Sequence, residues 1–220
     1  MAKFGINTFN LLCQNAALSV LEVLPIDVCQ NIGQIQKIIV QFTYASTGVL
    51  NKFVIASADP TLKATWDAAK AATDTTKVVI TPFIAEPENE AGELRRYGGG
   101  NATPGGVEII LGTDAAPFTA KFLHKDQAAI KKMKEWNSLD ISVFLVNEAG
   151  QIIGLSQDSS VAATEFRGIP LYPNTFFVGD KVLGGYEGVD YNPIEFQFPP
   201  NWSDNLTVVT PADFSALSEI

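Results

Sequence analysis

The alternation of apolar and polar positions changes period several times along this chain, and each change marks an element. GQIQKIIVQF at 33–42 is rich in β-branched residues and predicts a strand. VLNKFVIAS at 49–57 predicts its hairpin partner, joined through the turn Ser46-Thr47-Gly48. Asp59-Pro60 then predicts a helix start, with Asp59 as N-cap and Pro60 at the first helical position. Leu62, Trp66 and Ala69 recur at i, i+4 and i+7, so that helix carries one apolar stripe as far as about Thr73. KVVITPFI at 77–84 follows as a predicted buried strand.

Residues 85–106, AEPENEAGELRRYGGGNATPGG, change character, with two prolines, six glycines and mixed charge. The expectation is a long interaction loop, since an irregular stretch of this length inside a domain is usually functional or disordered. VEIIL at 107–111 and FTAKFLH at 118–124 then read as antiparallel partners across Gly112-Thr113-Asp114. A second helix is predicted over 125–138, with Ala129, Ile130, Met133 and Trp136 as its apolar stripe. ISVFLVN at 141–147 and QIIGL at 151–155 flank Glu148-Ala149-Gly150, a hairpin with glycine where positive φ is needed. Beyond Ser156 only strands and turns are expected: VAATEFRGI, TFFVGDKVL, PIEFQF and LTVVT. The predicted class is α+β, a mainly antiparallel β-sandwich or barrel with two flanking helices. Residues 1–220 read as a single domain with an N-terminal extension (1–32) and the long loop at 85–106. The order strand, helix, strand occurs twice, at 33–84 and 118–147, which raises the question of a duplication.

Composition narrows the function. Apolar residues make up 46% of the chain and charged residues only 18%. A polar but charge-poor surface suits large contacts with other protein, because uncharged polar groups cost less to bury than ions. The net charge of −9 leaves no basic footprint for sequence-independent nucleic-acid binding. Lys125, Lys131, Lys132 and Lys134 are the one basic concentration and read as a solvated helix face. Cys13 and Cys29 show neither a CxxC spacing nor a neighbouring histidine, so both are expected reduced and buried. Asn7, Asn10, Gln14 and Asn15 interrupt any signal-peptide core at the N-terminus, and the expected site of synthesis is the cytoplasm.

Candidate chemistry is sparse. His124 is the sole imidazole, at a strand–helix junction, and no nucleophile motif accompanies it. Gly98-Gly99-Gly100 and Gly105-Gly106 lead into a strand, whereas a phosphate loop opens a helix with Gly-Lys-Ser/Thr. Asp180, Glu187 and Asp190 do not follow the calcium-loop spacing and read as turn carboxylates. Glu86, Glu88, Glu90 and Glu93 read as a solvated loop face. The sequence therefore points to no catalytic, cofactor-binding or metal-binding residue, and the expectation is a protein that is not an enzyme.

Three phrases carry a resemblance: RRYGGGNATPGGVEIILGT, DISVFLVNEAGQIIG and FFVGDKVLGGYEGVDYNPIEFQFPPNWSDNL. With the order of elements over roughly 77–210, they make the chain similar to virion structural proteins of tailed bacteriophages, and most like the tail-tube group. The resemblance implies a β-sandwich or barrel with a flanking helix, stacked hexameric rings, and long loops that contact the next ring. By position, 85–106 would be the inter-ring arm and 125–138 the flanking helix. It further implies a virion location, partnership with itself and with other virion proteins, and a lumen through which DNA passes without specific binding. Residues 1–76 exceed a minimal tube subunit and include an extra helix. Such additions also suit an auxiliary capsid or head–tail connector subunit. A cellular binding module or enzyme is the remaining class.

Overall fold

A computed structural model describes residues 32–123, 125–156, 164–186 and 188–220. In chain order it contains β1 (Ile35–Phe42), β2 (Tyr44–Ser46), β3 (Val49–Leu50), β4 (Phe53–Val54), α1 (Lys63–Ala71), β5 (Val78–Ile80), β6 (Ala85–Asn89) and β7 (Leu94–Gly98). There follow β8 (Glu108–Thr113), β9 (Ala116–Leu123), α2 (Gln127–Lys134), β10 (Ile141–Asn147), β11 (Ile152–Ser156) and β12 (Glu165–Arg167). The series ends with β13 (Ile169–Pro170), β14 (Phe177–Val178), β15 (Tyr191–Phe198) and β16 (Leu206–Val209). The fold is α+β and mainly antiparallel, a β-sandwich with two helices, as the periodicity predicts.

The main sheet runs β4-β12-β11-β10-β1-β5, with β13 also paired to β10 and β16 to β11. Every residue of β10 and β11 is buried, which is why both read as near-continuous apolar runs. A strand covered on both faces serves two cores. On one face Ile38, Val40, Val143, Leu145 and Ile153 meet Phe118, Phe122, Ile194, Phe196 and Phe198 of the second sheet, β14-β15-β9-β6. Ile130 and Met133 of α2 close that core. On the other face Ile39, Phe144, Val146 and Ile152 are covered by Trp66 of α1 and by Ala216 and Ile220 near the C-terminus. β9 and β15 alternate buried and outward residues, the pattern of a sheet with one face packed and one solvated.

Aromatic rings tie each core together. Trp66 lies 5.0 Å from Phe53 and 5.3 Å edge-on from Phe144, which in turn sits 5.3 Å from Phe166. Its indole Nε1 donates to the Pro60 carbonyl at 2.8 Å, so the ring is buried without an orphaned donor. In the sandwich core Phe118 stacks on Phe196 at 4.6 Å, and Phe198 on Trp202 at 4.3 Å.

Several local expectations are corrected. β1 does not form a hairpin with 49–57; it pairs along its length with β10 and, on its other side, with β5. Its partner must be as apolar on both faces as it is, and a segment carrying Asn51, Lys52 and Ser57 is not. Ser46-Thr47-Gly48 does make a turn, closing only the short β2–β3 ladder, while β4 joins β12. α1 starts at Lys63, not beside Asp59. Asp59 organises the turn before it, accepting from the Thr61 N–H at 2.9 Å and hydroxyl at 2.8 Å. The Lys63 N–H is satisfied by the Asp213 carboxylate at 2.8 Å, a cap from the far end of the chain. Within the predicted stripe Trp66 is buried and Leu62 is exposed. The strand at 77–84 shortens to β5, an edge strand with Val79 and Ile80 half-buried. The two strand–helix–strand segments differ in topology: β1 and β5 pair in one sheet, whereas β9 and β10 belong to different sheets. The helix expected at 125–138 is α2, with Ile130 and Met133 buried and Trp136 packed against the core.

Buried polar groups are mostly paired. The Ser142 hydroxyl donates to Thr43 Oγ1 at 3.0 Å. Asn147 Nδ2 donates to the Ile32 carbonyl at 2.7 Å while its Oδ1 accepts from the Gln151 N–H at 2.8 Å, binding the β10–β11 turn to the start of β1. Lys37 buries its stem, reaches the Leu217 carbonyl at 2.5 Å and lies 4.7 Å from the Phe83 ring centre; burial pushes its ammonium pKa down.

Phe144→Ala removes the ring shared by three aromatic neighbours, and a loss of about 3–5 kcal/mol is expected in denaturant unfolding. Acid sensitivity has named carriers as well. Hydrogen bonds from Lys63 and Lys70 hold Asp67 below the ordinary carboxylate range, the Thr76 hydroxyl and N–H do so for Asp74, and Lys134 for Asp180. Because the folded values are depressed, this stabilisation is complete above the ordinary aspartate range and is lost as pH falls through the lowered values. The three carboxyls should therefore titrate at lower pH than a free aspartate by NMR, and D67N/D74N/D180N should flatten the acid limb of a stability–pH curve.

Candidate functional site

β6 and β9 pair within the second sheet, Ala85 opposite Lys121, Glu88 opposite Thr119 and Asn89 opposite Phe118. The same two stretches of chain run on past the sheet as β7 and β8, which pair only with each other. The junction is tightly made. The Glu90 N–H donates to the Pro117 carbonyl at 3.1 Å, and the Asp114 N–H to the Glu93 carbonyl at 2.8 Å. A Cβ on Gly92 would fall 2.1 Å from the Asp114 carbonyl oxygen, so the two chains cross where no side chain fits. Residues 85–123 are thus one long hairpin, its inner half in the sandwich and its outer half projecting as an arm.

This corrects two readings of the sequence. The stretch 85–106 is not an irregular loop, and VEIIL pairs with Leu94–Gly98, not with FTAKFLH. β9 takes β15 and β6 as partners because its alternate residues Phe118, Ala120 and Phe122 must face the core, and β15 offers Ile194, Phe196 and Phe198 on the same face. The signal that was legible is LRRY and VEIIL bracketing a glycine-rich centre, a hairpin with a long tip.

Among the described residues no core lies beneath the arm. All five residues of β7 are exposed, as are the first four of β8. Leu94, Tyr97, Val107, Ile109, Ile110 and Leu111 all stand in solvent, with Tyr97 57%, Ile110 63% and Leu111 66% exposed. Its own register is well held: Tyr97 opposes Ile109, Arg96 opposes Ile110, and a bulge falls between Arg95 and Arg96. Arg96 pairs with Glu108 at 3.0 Å and Arg95 with Asp114 at 2.5 Å. These ion pairs are exposed and worth little singly, but they orient the ribbon.

The tip is folded rather than loose. Gly98, Gly99 and Gly100 take φ of 97°, 93° and 57°, the left-handed region that glycine alone enters freely. Thr103, buried at the centre, accepts from the Gly99 N–H at 3.2 Å and donates to the Val107 carbonyl at 2.6 Å. A Cβ on Gly98 would approach Thr103 Cγ2 to 2.2 Å. These glycines therefore shape a turn that packs on a threonine, and the one helical element beside them is the three-residue 3₁₀ turn Pro104–Gly106, too short to form a phosphate site.

The other singled-out residues that are described are either paired within the fold or solvated. Lys131 and Lys132 lie on the exposed face of α2, and Lys134 pairs with Asp180. Asp190 Oδ1 accepts from the Gly184 N–H at 3.0 Å, fixing a turn. Glu86 pairs with Lys121, while Glu88, Glu90 and Glu93 face solvent. His124, Glu187, Cys13, Cys29 and the N-terminal extension fall outside the described residues, apart from Ile32. Among the described residues no helix is long and apolar enough to cross a membrane. No protein-family model matches the chain, and no curated protein matches it.

Thr103→Ala removes both hydrogen bonds made by the Thr103 hydroxyl. The expected result is faster amide exchange at Gly99 with the melting temperature of the sandwich unchanged, read by hydrogen-exchange NMR.

Proposed function

We propose that this chain is a self-assembling structural subunit of a phage virion, a tail-tube or tail-ring component, whose arm engages a neighbouring copy. The observation that carries the reading is the projecting hairpin with six large apolar side chains in solvent. A monomer gains nothing from holding such a ribbon out in water. Burying it at about 25 cal/mol per Å² of apolar surface supplies a driving force for association. The arm and the body it leaves are different surfaces, so a contact in which the arm of one copy docks on the body of the next is heterologous and either closes into a ring or propagates. The likeness of 77–210 to tail-tube proteins supports the virion setting, the partners (itself and other virion proteins) and a structural rather than catalytic role. The net charge of −9 suits a lumen that DNA crosses without adhering.

A single-ring connector or auxiliary capsid subunit is the second reading. It is favoured by α1, which covers the main sheet on the face away from the sandwich and exceeds what a minimal tube subunit needs.

Electron microscopy of the purified protein over a concentration series tests the assembly. Rings of constant diameter that stack into tubes are expected. Discrete rings that never stack would move the assignment to the connector or capsid role. Wild-type protein that stays monomeric at every concentration would overturn both.

A further inference from the structure

At one corner the inner face of the main sheet extends past its cover. Val40 and Phe42 of β1, Val79 of β5 and Ile141 of β10 meet Trp136 and Leu139 around a cleft of about 310 Å³. Phe42 is 41% exposed and Leu139 37% exposed, so the cleft opens to solvent through apolar walls. β5 ends the main sheet, and no described strand pairs with its outer edge. Asp74 and Lys77 stand at the rim, one charge of each sign.

We infer that this cleft is the receptor for the arm of a second copy. The inference rests on the assembly reading above and names the surface that reading leaves open. Three features of the molecule favour a second copy as occupant. Among the described residues the same chain holds an apolar ribbon that stands in solvent and an open apolar cleft, on surfaces built from different elements. Among those residues both β8 and β5 also present an unpaired strand edge, so the arm can add to the main sheet by antiparallel pairing while Ile110 or Leu111 enters the cleft. Charge is complementary at the rim, where Arg96 and Glu108 of the arm match Asp74 and Lys77 and exchange of intramolecular for intermolecular partners costs little in water.

A complementation experiment reads this directly. I110D/L111D spoils the arm and leaves the cleft; L139D spoils the cleft and leaves the arm. All three positions are exposed, and circular dichroism and melting temperature check that each variant folds; F42S replaces L139D if it does not. Each variant alone should need about tenfold more protein than wild type to assemble, or fail to assemble, in sedimentation velocity. An equimolar mixture should give 1:1 dimers that grow no further, because one good arm then meets one good cleft. If L139D and F42S assemble as wild type while I110D/L111D does not, the cleft assignment falls and the arm stands. A mixture that stays monomeric likewise overturns the cleft. If wild type itself never assembles, the assembly reading falls and takes the cleft with it.

Discussion

The pairing of β1 with β10 is the constraint on which the rest of the structure depends. Seven residue pairs run along it, from Ile35 opposite Asn147 to Phe42 opposite Ile141. Both strands carry apolar side chains on both faces, so neither can lie at a solvated surface. One face demands a second sheet, supplied by β9 and β15. The other demands a cover, supplied by Trp66 and the chain's last residues. Burying a two-faced apolar sheet thus dictates three layers. It also explains why the C-terminal segment is drawn in, where Asp213 caps α1 and the Leu217 carbonyl receives Lys37.

The second sheet inherits a different obligation. Only one face of β9 and β15 is buried, and their outward residues include the polar Thr119, Glu195 and Gln197. That sheet is free to be extended, and the chain extends it by letting β6 and β9 run on as β7 and β8. The arm is therefore a continuation of a ladder already anchored in the sandwich. Its direction is set by the crossing at Gly92 and Asp114, its twist by the bulge at Arg95, and its end by Thr103 under three glycines. Rigidity at both ends has a physical consequence for binding. A preorganised ribbon loses little conformational entropy on docking, so more of its apolar burial survives as affinity.

Among the described residues, the carboxylates that cluster in the sequence are taken up by lysines, turn amides or solvent, and the glycine run serves backbone geometry. The low charge content is compatible with the proposed assembly, because groups that leave water are cheaper to bury when they are apolar or neutral, and the arm is mostly apolar side chains between two ion pairs.

How much of this was legible in the chain depends on the range of the interaction involved. Local signals were sufficient where one segment settles its own state. The turn at Glu148-Ala149-Gly150, the stripe of Ile130 and Met133, the alternation of PIEFQF and the α+β class all follow from neighbouring residues, because periodicity and turn chemistry act within a few positions. The sequence was silent where a strand had to choose a partner. β1 rejects 49–57 for β10 a hundred residues away, VEIIL takes LRRY instead of FTAKFLH, and α1 is capped by Asp213 rather than Asp59. In each case the competing partners have similar local propensity, and the choice is made by which pairing buries both faces of the main sheet at once. The arm shows the same division. Its glycines, its apolar residues and its length were all visible at 85–113, yet only the tertiary fold decided that they form a projecting ribbon, since only there is it evident that no other described element covers them.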